Sequence, residues 1–144
     1  MKIRLADHAK YQPDKMAKIA LATTVRAQLD LYCVAPGQAQ KPHSHADQDK
    51  IYYVLEGRGR FRVGPDEQVV EAGEAVVARA GVEHGLVNDG AAPLVALVVV
   101  TPPPAHEQLG ELPRALGDPL GVGHLGGLAQ QARILVLDHP GARA

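Results

Sequence analysis

Between Ala35 and Pro103 the chain breaks into short apolar or alternating runs separated by turn residues at close intervals. The punctuation falls at Pro36-Gly37, Gly57, Gly64-Pro65-Asp66, Gly73, Gly81 and Asn88-Asp89-Gly90. These residue types supply positive φ, preset φ or local side-chain bonds, and so mark turns. The runs they leave, 28–34, 50–56, 59–63, 68–71, 75–79, 84–88 and 93–101, have the length of strands, and an earlier strand is expected in 18–24. In Arg58-Gly59-Arg60-Phe61-Arg62-Val63 the arginines alternate with Phe61 and Val63, the pattern of a half-buried antiparallel strand. Many short strands at this spacing predict an all-β sandwich or barrel rather than alternating β and α.

One run does not alternate. Leu94-Val95-Ala96-Leu97-Val98-Val99-Val100 is apolar on both faces, so both faces are expected to be covered. One face can fill a barrel. The other needs a second sheet, the C-terminal tail or a partner subunit, and on this ground a homodimer is expected. After Thr101 the composition changes: Pro102-Pro103-Pro104 ends the strand, and Gly, Pro, Leu and Ala dominate as far as about residue 131. Short helical turns are expected at 106–109 and 128–132, and a last strand at 133–138. The chain therefore reads as one barrel over 1–101 with a Gly/Pro-rich C-terminal extension over 102–144 that packs on it and is not a separate domain.

Composition narrows the function more than the fold. At 144 residues the chain suits one domain with its own core. Its formal net charge of −1 without a basic block gives no footing for nucleic acid. No apolar run is long enough to span a bilayer, and MKIRLADHAK is not a signal-type segment. The expectation is a soluble cytoplasmic protein with a small-molecule partner and no membrane. A single cysteine, Cys33, excludes an internal disulfide and a thiolate cluster, and it reads as a small buried hydrophobe. Without Trp and with one Phe, the core must be mostly aliphatic.

The candidate chemistry lies in Pro42-His43-Ser44-His45. Two histidines one residue apart on an extended chain point to the same side and form half of a divalent-metal site. A third candidate is His84, in Val82-Glu83-His84-Gly85. The alternative reading of His43 and His45 is a pair of exposed strand residues, and His84 taken alone reads as a hydrogen-bonded core histidine.

The spacing around these histidines resembles that of the cupin superfamily of double-stranded β-helix (jelly-roll) barrels. The first cupin motif, Gly, five residues, His-x-His, three or four residues, Glu, six residues, Gly, is matched by Gly37, His43, His45, Lys50 and Gly57. The second, Gly, five residues, Pro-x-Gly, two residues, His, three residues, Asn, is matched by Gly73, Arg79, Gly81, His84 and Asn88. The motifs occupy 37–57 and 73–88, and the departures are Lys50 in place of Glu and Arg79 in place of Pro. The resemblance implies that His43, His45 and His84 converge on a divalent transition metal inside the barrel. Neutral imidazoles suit Fe, Ni, Cu or Zn, and Mn is also within the family's range.

Lys50 complicates that inference, because an ammonium cannot ligate a cation and repels one. Three outcomes follow. Lys50 turns away and Gln48, Asp49 or Tyr52 fills the fourth place, Gln48 lying on the same strand face. Alternatively, the three histidines hold the metal alone, and Lys50 draws an anionic substrate or acts in acid–base chemistry. In the third, no metal binds, and His, Lys and Tyr line a ligand pocket. The second is favoured, with Lys50 and Tyr52 as candidate catalytic residues and Gln48 as a tentative fourth ligand. The resemblance implies either a metal-dependent enzyme of dioxygenase, isomerase or lyase type acting on a small, anionic metabolite, or a non-catalytic binding or sensing barrel. Fold alone does not choose between them.

Overall fold

A computed structural model describes residues 1–105. After a short 3-10 turn at Leu5–His8 come nine strands: β1 Ala17–Thr23, β2 Gln28–Val34, β3 Ala39–His43, β4 Asp49–Glu56, β5 Arg58–Val63, β6 Asp66–Glu71, β7 Ala75–Ala78, β8 His84–Val87 and β9 Leu94–Thr101. They form two antiparallel sheets, one in the order β1-β2-β9-β4-β7 and the other β3-β8-β5-β6. This is the all-β architecture expected from the pattern and the jelly-roll that the resemblance implies. Among the described residues no helix is long and apolar enough to cross a membrane. The turns and strand expected beyond residue 105, and the packing of the C-terminal extension, lie outside the described residues.

Alternation does most of the folding work. In β4 the inward residues Lys50, Tyr52 and Val54 are buried, while Ile51 and Tyr53 on the other face are exposed. In β5, Gly59 and Phe61 face in and the three arginines face out. The interior cluster joins both sheets through Tyr32, Val34, Tyr52, Val54, Phe61, Val70, Leu86, Leu94, Ala96, Val98 and Val100. Removing these mainly aliphatic surfaces from water is the main driving force for closing one sheet on the other.

The doubly apolar strand β9 is covered on both sides, by different means. Its inward residues belong to the interior cluster. On the opposite face, Val95 packs with Ala17, Leu21, Leu31 and Cys33, and this second cluster takes in Leu97, Ile3 and Leu5. The N-terminal segment thus supplies part of the cover that the sequence pattern calls for from a further sheet, the tail or a partner. Cys33 is fully buried there, and burial pushes its thiol pKa up, as suits an inert hydrophobe.

Strand β3 was not expected, and the reason is local. Its sequence, Ala39-Gln40-Lys41-Pro42-His43, is short, polar and carries a proline, which cannot donate to a ladder. The strand tolerates Pro42 because its pairing with β8 slips between Gln40 and His43. Opposite the slip sits Gly85, where a Cβ would lie 2.8 Å from the Gln40 carbonyl oxygen and 3.0 Å from Pro42 N. Only glycine lets the two backbones approach this closely.

Candidate metal centre

Strand pairing brings the three histidines together. His43, the last residue of β3, is the register partner of His84, the first residue of β8. His45 lies two residues past the strand end and is fixed by its backbone: its carbonyl accepts the Gly81 N–H at 2.7 Å. Gly81 sits at φ 78°, a left-handed conformation that glycine adopts without strain, in the turn leading into His84. The ring centroids are 4.9 Å apart for His43–His45, 4.4 Å for His43–His84 and 5.9 Å for His45–His84. One ligating nitrogen from each ring lies within 4.8 Å of the other two.

Backbone carbonyls set the tautomers. His43 Nδ1 lies 2.8 Å from the Lys41 carbonyl and His84 Nδ1 2.9 Å from the Val82 carbonyl. A carbonyl only accepts, so both Nδ1 atoms carry the proton and both Nε2 atoms present lone pairs. His45 Nε2 and His84 Nε2 are buried without any hydrogen-bond partner. A buried polar nitrogen left unpaired costs on the order of 1–3 kcal/mol, so two side by side require an explanation. Desolvation, followed in each case by further contributions that include the nearby Lys50 charge, lowers the pKa of all three imidazoles. Neutral and close together, two of them held by carbonyls with Nε2 deprotonated, these three imidazoles fit a divalent transition metal.

Lys50 stands directly beside the set. It is 4 % exposed, and its Nζ lies 3.4 Å from His43 Nε2. Burial, then repulsion from Lys18, pushes its pKa down to about 8, against an opposing pull from Asp30. The ammonium therefore occupies the one Nε2 lone pair of the three that is not orphaned. Tyr52 is buried one row further in, its ring 6.2 Å from that of His84, and its hydroxyl donates to Gln40 Oε1 at 3.0 Å. Desolvation raises the Tyr52 pKa, so it remains a neutral phenol. The other aromatic of the pair, Tyr53, is exposed on the outer face.

The remaining candidates have hydrogen-bond partners of their own. Gln48 precedes β4, and its amide donates to the Pro102 carbonyl at 3.1 Å. Asp49 Oδ1 accepts the Ala80 N–H at 2.7 Å, tying β4 to the turn before His84. Arg79 is exposed, and its carbonyl accepts the Val82 N–H at 3.1 Å in that same turn. Two interior residues escape the sequence pattern. Asp30 on β2 is 7 % exposed and Gln40 on β3 is 6 % exposed, with Gln40 Nε2 buried and unpartnered. For Asp30 a signal is present, a carboxylate at an inward position of the apolar run Leu29-Asp30-Leu31-Tyr32. Gln40 offers none, because the register slip before His43 breaks the alternation that would have placed it.

Two facing sheets with three histidines close enough to hold a metal ion define a small barrel, and the chain belongs to the cupin domain family, whose model matches residues 30–100. It is similar to the crystal structure of TT1209 from Thermus thermophilus, with 47% identity and a TM-score of 0.70 over 72% of this chain and 100% of that one. It is 34% identical over 65 residues to the uncharacterized protein MJ1618 of Methanocaldococcus jannaschii, covering 45% of this chain and 52% of that protein. It is 30% identical over 79 residues to the tetracenomycin polyketide synthase protein TcmJ of Streptomyces glaucescens, covering 55% and 53% of the two. The chain thus spans about half the length of these two curated relatives.

Proposed function

We propose that the chain is a metal-dependent cupin enzyme acting on a small anionic metabolite, with His43, His45 and His84 as the metal ligands. The observation that carries this reading is the pair of buried, unpartnered Nε2 atoms on His45 and His84, in a cluster where one ring nitrogen from each of the three histidines lies within 4.8 Å of the other two. A resident divalent cation would act there as a Lewis acid on a substrate oxygen. The chain's own groups do the rest. The Lys41 and Val82 carbonyls hold His43 and His84 in the ligating tautomer. Lys50 Nζ donates hydrogen bonds to an anionic group and neutralises it in a site of low dielectric. Tyr52, held by Gln40, closes the inner wall and offers a neutral hydroxyl.

Elemental analysis of the purified protein, alongside His43→Ala and His84→Ala, tests the proposal. The expected result is about one transition-metal ion per wild-type chain and loss of metal from both variants. A metal-replete wild type that carries no stoichiometric metal sinks it.

A second reading is a binding or sensing barrel without turnover. It draws support from the Lys50 Nζ to His43 Nε2 contact, which places a donor where a cation would bind. Under that reading the lysine is the occupant of the site, and Lys50→Glu would increase metal retention rather than leave it unchanged.

A further inference from the structure

The interior holds two opposite charges that do not touch. Register places Tyr52, Val98 and Asp30 in one inward row of the five-stranded sheet, and Lys50, Val100 and Gln28 in the next. Between β4 and β2, which lie about 9–10 Å apart as next-nearest strands, β9 contributes only the methyl groups of Val98 and Val100. Lys50 and Asp30 therefore flank a floor of valines, diagonally opposed, both more than nine-tenths buried. Gln28 Nε2 donates to Asp30 Oδ1 at 2.8 Å and holds the carboxylate in place. Among the described residues the ion pairs within 4.0 Å are Arg4–Asp7, Arg60–Glu67 and Arg60–Asp89, all with exposed side chains. The gap between Lys50 and Asp30 is thus wider than a salt bridge, yet each charge acts on the other.

Burying two charges without pairing them is costly, because the single bond each has, Gln28 to Asp30 and Lys50 to His43, recovers only part of its lost hydration. A ligand that spans the gap recovers it for both. Such a ligand presents an acceptor, best an anion, to Lys50 and a donor to Asp30. An ammonium is a poor donor here, since Lys18, whose Nζ lies 5.3 Å from the centre of the neighbouring Tyr32 ring, and Lys50 both add positive charge. A hydroxyl carries no such penalty.

We infer that the barrel binds a small hydroxycarboxylate, Lys50 taking the carboxylate and Asp30 accepting the hydroxyl hydrogen bond. This rests on the small-anion reading above and adds a specificity residue to it. The test is calorimetric titration of the full chain, metal-free and zinc-loaded, with lactate, propionate and alanine as probes. In metal-free protein, where chelation cannot contribute, lactate should bind about 10-fold tighter than propionate, the usual range for a hydrogen bond to a charged group. Asp30→Asn should erase that factor and leave propionate unchanged. Lys50→Met should weaken both acids about 10-fold or more. Equal binding of lactate and propionate by wild type overturns the inference, as does alanine binding as tightly as lactate. An Asp30→Asn variant that loses both acids alike assigns Asp30 a structural role and also overturns it. If propionate binds in a Lys50-dependent way without a lactate preference, the hydroxycarboxylate inference falls and the small-anion reading stands. If none of the three probes binds in either metal state, the small-anion reading falls with it.

Discussion

The two ends of β8 carry the two most deeply buried polar side chains of the second motif, and they are treated in opposite ways. Asn88, fully buried just beyond the strand, has every side-chain group in use. Its Nδ2 donates to the Val34 and Ala92 carbonyls, both at 2.9 Å, and its Oδ1 accepts the Gly90 N–H at 3.1 Å. His84, 2 % exposed at the strand start, has one ring nitrogen bonded to a carbonyl and the other bonded to nothing. Both residues are spaced like motif residues, so spacing alone would rank them together. Satisfaction of their polar atoms separates them. Asn88 closes the barrel by tying the ends of β2 and β8 to the following turn, whereas His84 keeps a lone pair in reserve.

The largest expected effect lies at the satisfied end. Asn88→Ala removes three hydrogen bonds and strands the buried Val34 carbonyl, so stability should fall by about 3 kcal/mol. Urea denaturation reads this, and zinc bound per folded chain should not change. Metal loss from a still-folded Asn88→Ala protein would erase the contrast between the two ends.

Next comes the open end. His84→Gln should weaken zinc binding by more than about 100-fold, since loss of an outer-shell partner alone costs 10- to 100-fold. Its unfolding free energy should move by only about 1 kcal/mol, for the one carbonyl bond lost. A competitive chelator titration and a urea melt give the two numbers. A large stability loss with unchanged zinc affinity would make His84 a structural residue like Asn88.

Lys50 sharpens the comparison through pH. Its pKa falls from an ordinary value of 10.5 to about 8 on folding. Between those values the unfolded chain holds more protons than the folded one, so stability rises with pH through that window. Between pH 7 and 9 Lys50 should contribute a gain of about 1 kcal/mol in metal-free protein. The stability difference between wild type and Lys50→Met, measured across that range, isolates it from other titrating groups. A pH-independent difference would mean that the ammonium is well solvated despite its burial.

The smallest effect belongs to Tyr52. Tyr52→Phe deletes the hydroxyl that donates to Gln40 and should cost about 1 kcal/mol, with zinc affinity unchanged. A marked drop in zinc affinity would move Tyr52 from the wall of the site into its chemistry.

Strand positions were legible wherever one face is apolar. The runs that became β2, β4, β5 and β9 could be read because period-two alternation and turn residues act locally. The histidines were legible for a similar reason, since a two-residue spacing on extended backbone puts both rings on one side. β3 was not, because Pro42 and its register slip are made acceptable only by Gly85 on another strand.

By itself, then, the sequence determined an all-β barrel, three histidines able to meet, and a lysine where a carboxylate was expected. Tertiary structure alone decided what each of these polar groups faces. Which imidazole nitrogens are free depends on the Lys41 and Val82 carbonyls and on the reach of Lys50. That Asp30 opposes Lys50 depends on the register of β2, β9 and β4, whose residues lie far apart along the chain. Alternation is a local property and assigns a residue to a face. The partner it meets on that face is set by pairing between distant segments, and that pairing separates a satisfied buried group from one left without a partner.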